Sequence, residues 1–185
     1  MISIVKQTID FYLQKMSVPE VSNLTLSNDE LGTTKWSCFV TIFEKWIVRW
    51  SSWNIKEIEQ NLAKELISNT IQAISKDSRF KPLTMMEAQT IKIRVDFIKN
   101  RSVLSRTDDE AARWVETLWK IDPVKNWVIV IKKDYSKSAT ILPNIDPKIL
   151  VWTDYQDLLS SKLEENFDEN KYIIYKIETI VESNY

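Results

Sequence analysis

The sequence predicts an α+β domain with a largely antiparallel sheet and flanking helices. Segments with a helical period and segments that alternate like strands follow in the order helix, strands, helix, strand, helix, hairpin, helix, strand. The strands cluster, whereas a doubly wound sheet would alternate them regularly with helices. The chain has 185 residues, 44% of them hydrophobic, which suits one sizeable core. We therefore expect a single domain over 1–185.

Composition excludes several kinds of site. A formal net charge of −1 gives no global positive field for nucleic acid or an anionic membrane surface. The chain lacks histidine, the commonest general base and metal ligand, and its one cysteine, Cys38, cannot form an intrachain disulfide or a zinc site alone. The single glycine, Gly32, rules out a glycine-rich phosphate loop. We expect no cofactor and no metal site.

A first helix is predicted at the start of the chain, in "MISIVKQTIDFYLQKM". Its apolar face carries Val5, Ile9, Tyr12, Leu13 and Met16. The segment lacks the uninterrupted apolar region of a signal peptide, and no stretch elsewhere reaches the roughly 18 apolar residues of a membrane span. We expect a soluble cytoplasmic protein without a membrane partner, and the abundance of lysine, glutamate and isoleucine would suit a thermophile.

The next elements are a loop, a pair of strands and a helix. The polar segment 17–35 predicts a long loop. The β-branched and aromatic stretch "WSCFVTIFEKWIVRW" predicts two strands that meet near Glu44 and Lys45. Asn54, with Glu57 three residues later, resembles the N-cap and capping box of a second helix. The predicted apolar face of that helix contains Ile58, Leu62, Leu66, Ala73 and Ile74.

The second half of the chain continues with short elements. "IKIRVDF" alternates apolar side chains with Lys92, Arg94 and Asp96, the period of a strand with one solvated face. Thr107 and Glu110 predict the start of the helix "AARWVETLWKI". "WVIVIKK" and "SATIL" predict a hairpin joined by "DYSK". "DYQDLLSSKLEEN" predicts another helix and "YIIYKIETIV" a last strand.

The stretch "ISKDSRFKPLTMME" predicts a corner between the second helix and the strand after it. Asp77 ends the helix, and Pro82 prevents its continuation. Thr84 and Glu87 form a capping box for a short helix. Phe80 is expected to fill the core beneath the corner.

Arg79 and Asp77 are interpreted as structural residues of this corner. Arg79 is expected to satisfy backbone carbonyls left open at the helix end. Together with Asp77 it is read as a pair that stabilises the corner, in preference to an acid–base pair.

The corner resembles a signature of the AMMECR family, in which a helix ends in Asp-x-Arg-Phe-x-Pro before a short acidic segment and a strand. This signature is matched by Asp77, Arg79, Phe80 and Pro82. "CFVTIF", "SATILPNI" with its Thr140-Ile-Leu-Pro143 motif, and "TDYQDLLSSK" resemble further family segments in the same order. The resemblance spans 36–162, and it implies an α+β domain with an antiparallel sheet, two lobes and a cleft.

The departures from the family concern its reactive residues. The family motif Leu-Arg-Gly-Cys-Ile-Gly falls on "VRWSSW", where Arg49 keeps the arginine, Ser51 stands at the cysteine, and Trp50 and Trp53 replace the glycines. The histidine of the family's His-Gly pair falls at Asn126. The thiol and imidazole that the resemblance implies for catalysis are both replaced, so a catalytic residue is unknown and an enzyme is the less favoured reading.

Four residues, Arg49, Trp50, Ser51 and Trp53, form the candidate binding site. In one interpretation, exposed indoles and the guanidinium hold an anionic or planar ligand by stacking and hydrogen bonds. In the other, Trp50 shares a strand face with Trp46 and fills the core, while Arg49 and Ser51 point to the opposite side. The structural interpretation is favoured for the tryptophans.

The other candidate residues are better explained by structural roles than by a reactive or binding site. Ser51 as a nucleophile needs a base, and no lysine follows it in Ser-x-x-Lys spacing. Cys38 within a strand behaves as a small hydrophobic residue. The acidic run 108–110 is explained by capping at a helix start, better than by a metal site. Trp114 and Trp119, like other tryptophans of the chain, lie near basic residues, a pattern that can bind single-stranded nucleic acid. Acidic residues lie equally close to the aromatic ones, so nucleic acid is the least favoured of the binding hypotheses.

Three functional hypotheses remain. The first is a non-catalytic domain that binds a partner protein or a small ligand in the cleft beside Arg49 and Trp50. The second, implied by the family's association with Memo-type and radical-SAM proteins, is an enzyme or enzyme component of a modification pathway. The third is an inactive paralogue with an assembly role, in which exposed indoles form a homodimer face.

Overall fold

The computed structural model describes residues 1–26, 29–104, 121–122, 124–143 and 152–185. Within them the chain forms α-helices and a β-sheet, which confirms the predicted α+β fold class. The helices are α1 (Ile2–Lys15), α2 (Leu62–Lys76) and α3 (Trp152–Leu163). The strands are β1 (Cys38–Glu44), β2 (Ile47–Trp53), β3 (Lys92–Val103), β4 (Asn126–Lys132), β5 (Ser138–Ile141) and β6 (Tyr172–Ser183).

The strands form one sheet in the order β2-β1-β3-β6-β4-β5. Strand β1 pairs antiparallel with β2 and β3, and β4 pairs antiparallel with β5 and β6. Both predicted hairpins are confirmed, the first with its turn at Lys45 and Trp46 and the second through 133–137. The helix predicted from Thr107 and Glu110, with the acidic run 108–110, Trp114 and Trp119, lies outside the described residues except for its last residue, Ile121.

The first compact unit comprises Met1–Ile98 and Ile180–Tyr185. Helix α2 packs against α1 on one side and against β1 and β2 on the other. Residues Val5 and Ile9 of α1 are buried as predicted, whereas Met16 is exposed at the left-handed cap that ends the helix. Among the side chains of this core are Ile4, Val40, Ile42, Trp50, Leu66, Ile74, Ile93, Val95 and Phe97.

The second compact unit comprises Lys99–Thr179. Its described core includes Val128, Val130, Ile141, Tyr155, Leu159, Leu163, Tyr172 and Ile174. The carboxylate of Glu165 joins the segment after α3 to the hairpin, because it accepts hydrogen bonds from Lys132 Nζ at 2.8 and 3.0 Å. Lys132, together with the Tyr172 hydroxyl and Lys137, lowers the pKa of Glu165 to about 2.

The predicted start of α2 is wrong. The helix begins at Leu62 with Asn61 as its N-cap, whose side chain accepts a backbone N–H at 2.9 Å. Asn54 instead donates to the buried carboxylate of Glu65 at 2.8 Å, and that carboxylate also accepts the N–H of Ile58 at 3.1 Å. Ile58, expected on the helix face, is exposed. The buried acceptor holds this segment in a non-helical loop.

The solvated face predicted for β3 is also wrong at one position. Arg94 and Asp96 alternate with buried apolar residues as expected, but Asp96 is itself fully buried. Its carboxylate accepts two hydrogen bonds from Arg94, each 2.7 Å long. A buried carboxylate is tolerated here because a bidentate guanidinium compensates its charge.

Candidate functional site

Strand β2 contains a β-bulge at Arg49. Ile42 of β1 pairs with Trp50 and Phe43 pairs with Val48, so Arg49 is an extra residue without a partner in the register. The bulge breaks the strict alternation of side chains. The prediction that Arg49 points away from Trp50 is therefore wrong, since its guanidinium carbon lies 5.0 Å from the centroid of the Trp50 ring.

Trp50 is a core residue. Its side chain is 1% exposed, and its indole N–H donates to the carbonyl of Lys81 at 2.8 Å. Phe80 meets the indole edge-on, with 6.5 Å between ring centroids. Trp53 stacks on Phe39 with a centroid distance of 5.6 Å. Trp50 therefore offers no face to an incoming ligand.

The predicted corner pair of Asp77 and Arg79 is confirmed, with a different extra partner for Arg79. Its guanidinium donates to Asp77 at 2.8 and 2.6 Å and to the Ser51 hydroxyl at 2.7 Å, not to helix carbonyls. The backbone N–H of Ser51 donates to Asp77 at 3.1 Å. The carboxylate of Asp77 thus links the corner to β2 by hydrogen bonds.

The charge of Asp77 is stabilised within this cluster. Burial opposes its ionised form, but hydrogen bonds from Arg79 and from the Ser51 backbone outweigh that effect and lower the pKa of Asp77. The capping box of Thr84 and Glu87 is present as predicted, and its hydrogen bonds lower the pKa of Glu87. These residues fix the backbone of the corner.

Arg49 and Arg79 both approach Phe80. Their guanidinium carbons lie 5.4 Å from its ring centroid. Arg49 also pairs with Glu44 at 2.5 Å, and its Nε is buried with no hydrogen-bond partner among the described residues. Each guanidinium is paired with a carboxylate, Arg49 with Glu44 and Arg79 with Asp77, so the charges of the cluster balance. Its side chains can therefore interact with other groups mainly through directional hydrogen bonds.

Ser51 is not arranged as a nucleophile. The described partner of its hydroxyl is Arg79, and a guanidinium cannot take the proton that a nucleophilic serine must lose. Burial raises the pKa of Cys38 to about 12, so its thiol stays protonated. The Asn126 side chain accepts the backbone N–H of Asp122 at 2.8 Å and fixes a turn.

The turn of the first hairpin exposes large apolar side chains. Lys45 and Trp46 both have left-handed backbones, with φ of 50° and 68°. The side chains of Trp46 and Ile47 are 68% and 67% exposed. Tyr185 lies edge-on to Trp46 with 5.2 Å between centroids, and to Phe43 with 5.6 Å. We call Lys45, Trp46, Ile47 and Tyr185 the hairpin tip.

Sequence reasoning considered exposed indoles at Trp50 and Trp53, favoured their burial, and missed the exposure of Trp46. The usual sequence signal was absent, because a two-residue hairpin turn with left-handed backbone normally contains Asn or Gly, and here it contains Lys45 and Trp46. The pattern of strand alternation assigned Trp46 to the core face. Trp46 belongs to the turn, where the two-residue period of the strand does not apply, and its side chain is therefore exposed.

The described residues lack both a metal-binding cluster and a membrane-spanning helix. No three cysteine or acidic side chains there come close enough together to hold a metal ion. No helix of the described chain combines the length and apolar character that a bilayer crossing requires.

Comparison with known proteins identifies the family. No curated protein sequence matches the chain significantly. The uncharacterised protein PH0010 from Pyrococcus horikoshii has a similar crystal structure, with a TM-score of 0.72, 19% identity, and coverage of 96% of this chain and 86% of that one. The AMMECR1 family model matches residues 2–176. Since that match covers nearly the whole chain, the protein belongs to the AMMECR1 family.

Proposed function

We propose that this AMMECR1-family domain is a non-catalytic binding module whose hairpin tip, with the neighbouring Arg49, contacts a partner protein. The observation that carries the proposal is the conformation of Trp46, a bulky residue held at φ 68° with most of its indole in water. Left-handed backbone costs an L-residue of this kind about 1–2 kcal/mol. A strained and exposed tryptophan is better explained by a contact outside the chain than by the fold.

The composition of the tip fits a protein partner. Tryptophan, tyrosine and arginine are the residues most often responsible for binding energy in protein interfaces. Tyr185 holds the Trp46 ring edge-on, and Glu44 holds Arg49, so these side chains are ordered before a partner arrives. Preorganisation of this kind lowers the entropy cost of association.

The enzyme hypothesis has no comparable support in the described residues. Ser51 bonds to a guanidinium, and Cys38 is buried and protonated. A small ligand beside Trp50 is also less favoured, because that indole is covered and its N–H is satisfied.

Site-specific photo-crosslinking tests the proposal. A photoreactive residue, Ile47→p-benzoylphenylalanine, is introduced in the cells that naturally express the protein. Ile58→p-benzoylphenylalanine is the matched control, since Ile58 is 70% exposed in the same compact unit but lies outside the tip. We expect a discrete heterologous adduct from position 47, none from position 58, and loss of the adduct when Trp46→Ala is added.

The other outcomes separate the alternatives. A crosslinked dimer of the chain itself would favour the assembly hypothesis over a heterologous partner. Equal adducts from both positions, or an adduct that survives Trp46→Ala in a folded protein, would remove the hairpin tip as the binding surface. Circular dichroism of each variant establishes that it is folded.

A further inference from the structure

A second surface of the first unit contains a cavity of about 660 Å³ between α2 and the segment 18–22. Its apolar lining consists of Val18, Pro19, Val21, Ile67 and Ile71. The volume lies within the range of small-molecule sites, which are typically apolar with a few convergent polar groups. None of the hairpin-tip residues contributes to it.

One edge of the cavity is a regular polar line along α2. Lys64, Ser68, Gln72 and Lys76 recur every four residues and all line the cavity. Residues four apart on a helix lie on one side, so the line extends about 18 Å from the first lysine to the last. The cavity therefore combines an elongated apolar floor, formed by Ile67 and Ile71, with cations at the two ends of one wall.

The two lysines differ in their electrostatic surroundings. Lys64 lies in the first turn of α2, where the helix dipole favours an anion, whereas Lys76 is the last helical residue, where the dipole opposes one. The Lys64 ammonium donates to the neutral side chain of Gln60 at 2.9 Å, and no ion pair of Lys64 occurs among the described residues. The end of the cavity at Lys64 is therefore the better place for an anionic group.

Carboxylates at the rim of the cavity limit the negative charge that a ligand can carry. Glu20 belongs to the capping box of the short turn Val21–Asn23. Glu59 lines the cavity, and its backbone N–H donates to Glu65 at 2.9 Å. A negative charge at Glu59, five residues before Lys64, disfavours a ligand that carries more than one negative charge.

We propose that this cavity binds a small amphiphile with an elongated apolar body and a single anionic group, such as a carboxylate. The body lies over Ile67 and Ile71, and the anionic group pairs with Lys64. This site is separate in its residues from the partner surface proposed above, so either proposal can fail without the other.

Isothermal titration calorimetry with dodecanoate, kept below its micellar concentration, tests the proposal. The charge-reversed probe is dodecylammonium. We expect saturable binding of one dodecanoate per chain and at least about tenfold weaker binding to Lys64→Gln, the loss of one charge-assisted contact. Val18→Ser should also weaken binding, because it removes part of the exposed apolar wall.

Matched variants give the design its specificity. Lys76→Gln changes the charge at the wrong end of the cavity, and Lys45→Gln changes it outside the cavity, so both should bind within about twofold of the unmodified protein. Glu59→Gln should bind dodecanoate more tightly. Binding of dodecylammonium as tight as that of dodecanoate, no effect of Lys64→Gln, or heat that never saturates would each overturn the proposal.

Discussion

Two neighbouring parts of strand β2 contrast sharply. In the segment 49–53, Trp50 is buried with its N–H satisfied, and Ser51 is fastened to Asp77 and Arg79. Three and four residues before Trp50, Ile47 and Trp46 of the hairpin tip lie largely in water, Trp46 on a left-handed backbone. Both parts are rich in tryptophan, yet only the first is explained by the contacts it makes within the chain.

The contrast shows which departures from the family pattern concern the fold. Trp50, expected at a glycine of the family motif, fills the core beside Phe80, and Ser51, expected at its cysteine, accepts a hydrogen bond from Arg79 of the corner. The contacts of this segment are therefore those of a packed structural element. A functional surface is then better sought among exposed groups that make few contacts within the chain, as at the hairpin tip.

The largest expected effect comes from removing Trp50. Trp50→Ala should lower the free energy of unfolding by about 3–5 kcal/mol, because it leaves a cavity in the core and an unpaired carbonyl at Lys81. Chemical denaturation measures the change. Trp46→Ala is the control and should cost less than about 1.5 kcal/mol, the value of an aromatic pair at the surface. Equal losses would contradict the division of β2 into a packed and an unpacked part.

The sequence predicted the fold well where it depends on periodicity. Alternation located the strands around Ile42 and Val130, and Pro82 with the Thr84–Glu87 capping box located the corner after Asp77. It failed where a tertiary contact overrides a local pattern. Asn54 fits a capping box, but the buried Glu65 takes its side chain, and this partner is invisible in the local sequence.

The candidate site was predicted only in part, for a similar reason. The predicted binding residues Arg49 and Ser51 lie in one contiguous set of contacts with Asp77 and Arg79 of the corner, a connection that the sequence did not predict. The bulge at Arg49 shifts the strand by one residue, and strand alternation cannot reveal such an insertion. The predicted direction of the Arg49 side chain was therefore wrong, whereas the burial of Trp50 was predicted correctly.

A smaller loss of stability is expected when the hydrogen bonds between the corner and β2 are removed. Asp77→Ala removes the carboxylate that holds Arg79 and the Ser51 backbone, and should lower the free energy of unfolding by about 2 kcal/mol. The exposed pair of Asp122 and Lys125 provides the control, since Asp122→Ala should cost less than about 1 kcal/mol. A loss no greater than the control's would mean that solvent replaces the corner contacts.

The same contact predicts a pH dependence. The folded-state pKa of Asp77 is lowered, so its stabilising contribution is complete above the unfolded pKa of about 3.9 and is lost as pH falls through the folded value. The difference in unfolding free energy between the unmodified protein and Asp77→Ala should therefore shrink with acidification below about pH 4. The difference for Trp50→Ala, which removes no ionisable group, should not follow that curve. A pH-independent difference for both variants would exclude the charged contact as the source of stability.

The smallest expected effect tests the strain at the hairpin tip. Trp46→Gly and Trp46→Ala both remove the contact with Tyr185, but only glycine adopts φ 68° without a steric penalty. Trp46→Gly should therefore be more stable than Trp46→Ala by about 1 kcal/mol, as measured by chemical denaturation. At Gln72, an exposed residue of α2, the sign should be opposite: Gln72→Gly should be less stable than Gln72→Ala, because glycine weakens a helix.

The sign of this small difference decides how Trp46 should be interpreted. If glycine is the more stable residue, the natural tryptophan is retained against a backbone preference, and the stable Trp46→Gly variant should still lose the photo-adduct from position 47. If alanine is as stable as glycine, the turn exerts no strain on its residue. The exposed indole would then be an ordinary surface side chain, and its conformation would no longer indicate a partner at the hairpin tip.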